Sequence, residues 1–210
     1  MADDNININP GNVTTGSPVE GACCYTSFEA SPSLPATASA DIGDGSSGFV
    51  NLGEISDQGY TQSTSTTVNK FKGWHGSVLL SVVSEEENTF KAEFTEITRA
   101  TVAKLRYGVD NVTVDQDGFV SAIDPTTVPS AVVPLVFDEL FSNGIKQRTV
   151  FPRATIDSID DQAHQKGSLL VYGMTFTANV DSSGRPYYIR RAKKAAGSDA
   201  AATTTTTTGA

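Results

Sequence analysis

The pattern of apolar and polar positions between residues 71 and 108 predicts a hairpin followed by a helix. Residues 78–83 form a nearly continuous apolar run, long enough for one strand. Phe90, Ala92 and Phe94 then alternate with polar residues, which is the period of a strand with one buried face. The polar cluster at residues 85–88 lies between the two segments and predicts the connecting turn.

After Ile97 the period changes to that of a helix. Val102 and Leu105 are three residues apart within residues 99–107, and good helix formers surround them. Gly108 follows directly, where a glycine often ends a helix in a left-handed conformation. We predict one short helix, packed over the sheet through Val102 and Leu105.

Other strand-like segments lie on both sides of this stretch and are bounded by turn residues. Asp117-Gly118 and Asn143-Gly144 are typical hairpin-turn dipeptides, and residues 181–184 form another turn. Long helical patterns are absent, so the sequence predicts a mainly β fold. The further predicted strands are residues 21–28, 49–55, 112–114, 119–120, 131–137, 146–151, 154–159, 169–178 and 187–190.

Residues 57–74 predict a long extended loop that leaves the sheet. The stretch is rich in Ser and Thr up to Thr67, and the apolar residues Phe71 and Trp74 mark its return. Structureless loops of this length are usually functional.

The chain itself divides into a flexible N-terminal arm (residues 1–16), one β domain (17–190) and a low-complexity tail (191–210). The tail contains six consecutive threonines and is expected to be disordered.

The chain of 210 residues carries a net charge of −9. An acidic surface repels nucleic acid and anionic membranes, although solubility alone explains such a charge. No apolar run approaches the ~18 residues that a membrane span needs, so no membrane anchoring is expected. The adjacent Cys23 and Cys24 cannot easily pair with each other, and we interpret them as free thiols of a protein made in a reducing compartment.

Candidate catalytic and ligand motifs are weak. Residues 43–48 match G-x-G-x-x-G, but without the strand before and the helix after that nucleotide binding requires, so a flexible turn is predicted. Residues 113–124 partly match a calcium loop but lack its first carboxylate and terminal Glu, which favours a hairpin turn. His75 and His164 lie in no metal-binding or catalytic motif. We predict no enzyme, metal or cofactor.

One basic cluster stands out in the acidic chain. It consists of Arg190, Arg191, Lys193 and Lys194. A nucleic-acid-binding domain would be basic overall and would interleave aromatic residues. A solvated strand end or a subunit contact is the better interpretation.

Several short segments, taken together and in order, resemble one protein family. They are Leu34-Pro35, residues 48–59 (GFVNLGEISDQG), 70–76 (KFKGWHG), 107–114 (YGVDNVTV), Phe151-Pro152 and 181–184 (DSSG). In this order they resemble the major tail (tail tube) proteins of long-tailed, non-contractile, siphovirus-type bacteriophages, especially those that infect actinobacteria. The resemblance covers roughly residues 17–188.

The resemblance implies a structural virion protein with a two-sheet β-sandwich and a flanking helix. Proteins of this family form six-membered rings that stack into a tube, through which the genomic DNA passes without specific binding. The implied partners are other copies of the chain, a tape-measure protein, a tail terminator and tail-tip proteins. Assembly is expected in the host cytoplasm. A monomeric β-sandwich that binds a glycan or receptor is the alternative.

Two sets of residues are candidates for functional contacts within such a tube. Tyr60, Phe71 and Trp74 are the aromatic residues of the 57–74 excursion and are expected to make ring-to-ring contacts. Lys91 and Glu93 occupy the polar alternate positions of their strand and are candidates to face the lumen. Glu85 and Glu86, at the adjoining predicted turn, would add negative charge near a rim.

Overall fold

The computed structural model describes residues 12–19, 23–43, 47–126 and 131–193. Strands dominate these residues, and one α-helix lies among them. The elements are β1 (Gly16–Pro18), β2 (Cys24–Thr26), β3 (Val50–Gly53), β4 (Ile55–Lys72), β5 (Val78–Phe94), α1 (Ala100–Tyr107), β6 (Val112–Val114), β7 (Val120–Ile123), β8 (Val133–Phe141), β9 (Ile145–Ile159), β10 (Tyr172–Ala178) and β11 (Tyr188–Lys193). The predicted mainly β fold is confirmed.

The strands form two antiparallel sheets of very different size. The large sheet has the order β3-β2-β8-β9-β10-β5-β4, with β1 added beside β8 and β11 beside β9, whereas β6 and β7 form a separate hairpin. Strands β3 and β4 lie at opposite ends of this order, yet Glu54 alone separates them in the chain. The large sheet therefore curls until its two ends meet around one core.

The centre of that core is aromatic. The ring of Phe90 stacks on Phe151 and Phe176, with centroids 3.8 and 5.0 Å apart, and meets Phe137 edge-on at 5.9 Å. These four residues come from β5, β9, β10 and β8, and all four are buried. Stacked and edge-on aromatic pairs add about 0.5–1.5 kcal/mol each beyond the area they bury. One set of rings thus joins the four central strands.

The predicted helix is confirmed, with Val102 and Leu105 buried. The Thr101 hydroxyl donates a hydrogen bond to the Asn51 carbonyl (2.8 Å), which fixes the helix against β3. Gly108 ends the helix with φ of 93°, a conformation that a side chain would strain.

Strand β5 corrects the predicted turn at residues 85–88. These residues lie inside one continuous strand, where Glu85, Glu86 and Glu87 pair with Thr67, Thr66 and Ser65 of β4. The turn prediction is wrong because the polar residues here belong to a solvated strand and do not mark a change of direction. Both faces of the hairpin are solvated here, so polarity carries no information about turns. Backbone pairing with the Ser/Thr-rich β4 satisfies the strand instead.

The segment 57–74 is extended as predicted, but it is hydrogen-bonded strand rather than loop. Most of it belongs to β4, which pairs with β5 from Ile55 to Lys72. The connection between the two strands consists of residues 73–77, where the Gly73 amide donates to the Ser77 carbonyl (2.8 Å). The excursion is therefore one long hairpin.

The other hairpins follow the sequence closely. Turns at Asp117-Gly118 and Asn143-Gly144 join β6 to β7 and β8 to β9. Two predicted strands, residues 146–151 and 154–159, are one strand, β9. Its register against β8 shifts between Phe151 and Ala154. Pro152 lies within that irregularity, which is one of the few places where a strand accepts a residue without an N–H group.

The described residues also adjust the predicted ends of the domain. The end of the N-terminal arm is docked, because β1 pairs with β8 and the Thr15 amide donates to the Ser142 hydroxyl (3.2 Å). At the other end, β11 continues to Lys193, so residues 191–193 belong to the sheet. Residues 1–11 and 194–210 lie outside the described residues, as do 44–46 of the G-x-G-x-x-G match and 127–130.

The buried helix face leads to a stability prediction. Leu105→Ala is expected to lower the free energy of unfolding by ~2–5 kcal/mol, because it opens a cavity under α1. Thermal or denaturant unfolding measures the change. Leu169→Ala is the matched control, since its side chain is 71% exposed and should change stability little. Equal stability of the two variants would show that α1 is not docked on the sheet.

Candidate functional site: the projecting hairpin

Half of the β4–β5 hairpin projects beyond the core. We call residues 63–87 the arm; within it every residue except Gly73 is exposed. At about 3.3 Å per residue, the ten residues from Ser63 to Lys72 extend roughly 33 Å. The register shifts between Thr67 and Val68, and this irregularity divides the arm into a shaft (residues 63–67 and 84–87) and a tip (residues 68–83).

The tip exposes large apolar side chains in water. Trp74 is 100% exposed, Leu79 73% and Phe71 57%. The others are Val68, Val78, Leu80, Val82 and Val83. Contiguous exposed apolar surface marks an interaction site, and a two-stranded hairpin by itself is marginally stable in water at best.

Both faces of the tip are apolar. Val68 pairs with Val83 and Phe71 pairs with Leu80, and the register between these pairs is unbroken. Successive residues of a strand point to opposite faces, so Val68 and Phe71, three residues apart, lie on opposite faces. A tip of this kind suits burial between two surfaces rather than against one.

The root of the arm, residues 60–62 and 88–90, is held by an aromatic stack and hydrogen bonds within the chain. Tyr60 stacks on Phe137 with ring centroids 4.3 Å apart, and its hydroxyl lies 3.1 Å from Thr149 Oγ1 and 3.2 Å from Glu139 Oε2. Burial of the ring raises the pKa of the Tyr60 hydroxyl, so it stays a neutral donor. On the other strand, the Asn88 amide donates to Glu86 (3.1 Å), and Asn88 Oδ1 accepts from the Thr64 hydroxyl (2.7 Å).

The structure separates the three residues expected to make ring-to-ring contacts. Phe71 and Trp74 lie at the exposed tip, whereas Tyr60 lies at the root with its ring engaged in its own chain. The surface available for contacts with another molecule is therefore carried by Phe71, Trp74 and the neighbouring aliphatic residues of β5.

The residues expected to face a lumen also occupy two places. Lys91 and Glu93 alternate with the buried Phe90, Ala92 and Phe94, so they share the outer face of the sheet. Lys91 pairs across the sheet with Thr61 and Thr175, and its ammonium lies 2.6 Å from Asp160 Oδ2. The hydrogen bond to Asp160 and the negative charge of the Asp160 carboxylate raise the pKa of Lys91. Glu85 and Glu86 lie farther out, on the shaft of the arm.

The sequence contained a signal for the arm that periodicity alone does not show. Residues 78–83 predict a buried strand by hydrophobicity, yet they are exposed. The signal is that the Ser/Thr-rich run up to Thr67 and the acidic Glu85–Glu87 run are both polar and lie opposite each other when the two strands pair. Two strands that pair over a polar stretch cannot both cross a core there.

Other features offer less chemistry. A groove of about 530 Å³ between β1, β8 and the start of β4 is lined by Cys23, Tyr60 and Glu139, among others. Both cysteines are buried free thiols, and burial raises the pKa of each. In the 113–124 segment, Asp115 Oδ1 accepts from the amides of Asp117 and Phe119, which makes a hairpin turn.

Among the described residues, no His, Cys, Asp and Glu side chains group in a way that would hold a metal ion. No helix in the same part of the chain is long and apolar enough to cross a membrane.

Comparison with solved structures found chains that are similar to this one. No family model matches the chain, and no curated protein matches it. A chain in the cryo-EM structure of the sheath–tube complex of an extracellular contractile injection system (PVC), in its extended state, is similar with a TM-score of 0.34 and 10% sequence identity. The match covers 83% of this chain and 93% of that one. A likeness at this level does not establish a shared fold.

Because the arm buries no side chain of its own, its removal should leave the domain intact. In the test variant an Asn-Gly turn joins Thr66 directly to Glu86, which are cross-strand partners, so that Glu86 still accepts from the Asn88 amide. The free energy of unfolding is expected to change by no more than about 0.5 kcal/mol, as for surface changes in general. Circular dichroism and denaturant unfolding measure it against the full chain. A collapse of folding would show that the arm is part of the core.

Proposed function

We propose that this chain is a structural virion protein whose copies form stacked rings, the tail tube of a long-tailed bacteriophage. The observation that carries the proposal is the arm, whose tip exposes apolar side chains on both faces. A monomer gains nothing from such a tip, and a tip exposed in this way promotes aggregation. An assembly in which every copy covers the tip of another resolves the conflict. The ordered sequence segments that resemble tail tube proteins favour the same function.

The sheet edges support ring formation. Within the described residues, β4 pairs with β5 on one side, and its other edge is free along its length. At the opposite end of the sheet, β3 pairs with β2 on one side. Free edges pair readily with another strand, and closure of a ring removes them. The ring size of six is taken from the sequence resemblance.

In this proposal, Phe71 and Trp74 make the contacts between successive rings, and Tyr60 positions the arm. The arm extends roughly 33 Å, which places its tip well outside the core of its own domain. Contacts between rings are head to tail, so each ring offers its tips to the next and the assembly stays open as a filament.

The lumen in this proposal is lined by the outer face of β5 and β10. Glu93 and the Lys91–Asp160 pair contribute charge to this face, and threonines surround them. A wall with few free cations does not retain passing phosphates, so DNA crosses without specific binding. The chain needs no cofactor for this function. Its further partners would be the tape-measure, tail terminator and tail-tip proteins, and assembly would take place in the host cytoplasm.

Trp74 gives a direct test, because it is the single tryptophan of the chain. In the monomer its emission should match that of tryptophan in water, since the side chain is fully exposed. Assembly should bury it and shift the emission to shorter wavelengths, in step with tubes seen by negative-stain microscopy. The variant without the arm should stay folded and form no tubes. A strict monomer that binds a glycan would instead support a binding module.

Charge at the lumen is tested by Glu93→Lys. The substitution adds a cation on the outer face beside Lys91, where DNA phosphates would be retained. Tubes should still assemble, and virions that carry the variant should deliver DNA more slowly. The matched control is Asp110→Lys, an exposed change of the same charge outside the sheet. Unchanged delivery by the Glu93 variant would show that this face does not line the channel.

A further inference from the structure

Charge is unevenly distributed along the arm. The tip carries two cations, Lys70 and Lys72, and no carboxylate. The shaft carries three carboxylates, Glu85, Glu86 and Glu87, and no cation. All five side chains are exposed. The arm is thus positive at its tip and negative at its shaft.

Within the part of the chain that the structure describes, these charges have no ion-pair partner. No ion pair joins Lys70, Lys72, Glu85 or Glu87 to another described residue, whereas Lys91, Arg99, Lys146 and Arg148 all have carboxylate partners. Lys72 is seven positions along β4 from Ser65, the partner of Glu87, a separation of roughly 23 Å. Lys70 is nearer, three positions from Thr67, the partner of Glu85, or roughly 10 Å. Screening limits each charge to about 8 Å at physiological salt, so tip and shaft of one chain interact weakly and form no ion pair with each other.

We propose that the tip of one arm docks on the shaft of the arm of a second copy, with Lys70 and Lys72 against Glu85 and Glu87. This inference rests on the proposed self-assembly and names the surface that receives the tip. The ion pairs set the register of the two arms. The apolar side chains of the tip supply the buried area, and Val82 and Val83 adjoin the receiving shaft.

The basic strand β11 is the competing partner for the acidic shaft, but its arginines are already engaged. Arg190 Nε donates to the Ala36 carbonyl (3.2 Å), and its guanidinium lies 4.9 Å from the centre of the Tyr188 ring. Arg191 Nε donates to Gln147 Oε1 (2.7 Å). The lysines of the tip have no such contacts, and exposed apolar residues that need a partner surround them.

A tip-to-shaft contact is heterologous, since the two surfaces that meet are different. Each copy that inserts its tip still has a free shaft, which can accept the tip of another copy. Such contacts propagate in one direction. The same contact also disfavours a tip-to-tip dimer, in which four lysines would meet.

The test exchanges charges between tip and shaft. Lys70→Glu/Lys72→Glu makes the whole arm acidic, and Glu85→Lys/Glu87→Lys makes it basic. Each variant alone should raise the critical concentration for assembly at least ~10-fold, about 1.4 kcal/mol, because like charges then meet. An equimolar mixture should assemble, because each acidic tip meets a basic shaft and each basic tip meets an acidic shaft. The quadruple variant, with both exchanges in one chain, should also assemble.

Two control variants change net charge by the same amount at exposed sites outside the arm. They are Lys166→Glu/Lys193→Glu and Asp110→Lys/Asp161→Lys, and both should assemble like the original chain. Sedimentation and negative-stain microscopy measure assembly, and circular dichroism confirms that each variant is folded. The proposal is overturned if the two arm variants assemble normally, or if their mixture does not assemble. Failure of the original chain to assemble would refute the proposed function itself.

Discussion

The stack of Phe90 on Phe151 and Phe176 is the contact on which the rest of the structure depends. Phe90 lies in β5 three residues beyond Glu87, where the shaft ends, and its ring joins the strand to β9 and β10. The ring of Tyr60 joins β4 to β8 in the same way, because it stacks on Phe137 with ring centroids 4.3 Å apart. Both strands of the hairpin are therefore anchored in the core at nearly the same level, since Gln62 pairs with Phe90 and Tyr60 with Ala92. An arm that buries nothing itself takes its direction from this root.

A buried ion pair fixes the opposite side of the sheet. Arg148 is 1% exposed. Its Nε donates to Asp138 Oδ1 (2.6 Å) and its Nη2 donates to Asp138 Oδ2 (2.7 Å). Its third nitrogen donates to the carbonyls of Thr37 and Ala40, so the Ala/Ser/Pro-rich connection between β2 and β3 is tied to the pair. Loss of Asp138 leaves the Arg148 charge buried without a carboxylate partner, which costs about 3–5 kcal/mol. This ion pair holds β8 and β9 in register beside the segments that pair with β1 and β11.

The sequence predicted those elements whose local pattern and tertiary environment agree. Val102 and Leu105 predicted the buried face of α1 because one side of the helix meets the core, and the Asn-Gly and Asp-Gly turns need glycine for their backbone geometry. The arm was missed as a hairpin because hydrophobic periodicity reports burial, and residues 63–87 are solvated on both faces. The candidate site was partly foreseen, since Phe71 and Trp74 lie at the tip. The engagement of Tyr60 could not be foreseen, because its partners Phe137 and Thr149 are far away in sequence.

In the proposed assembly, this arrangement confines the contact between copies to the arm. The domain hides its aromatic core in the curled sheet, and its net charge of −9 keeps copies apart. The tip combines exposed apolar area with positive charge on a chain that is acidic overall, and this is where the proposed attraction between copies lies. The acidic shaft belongs to the same hairpin as the basic tip. In the proposed contact, the angle between the arm and the core therefore sets the orientation of both surfaces. In the proposed assembly, the Phe90 and Tyr60 stacks set the direction of the arm from inside the core, without touching a second molecule.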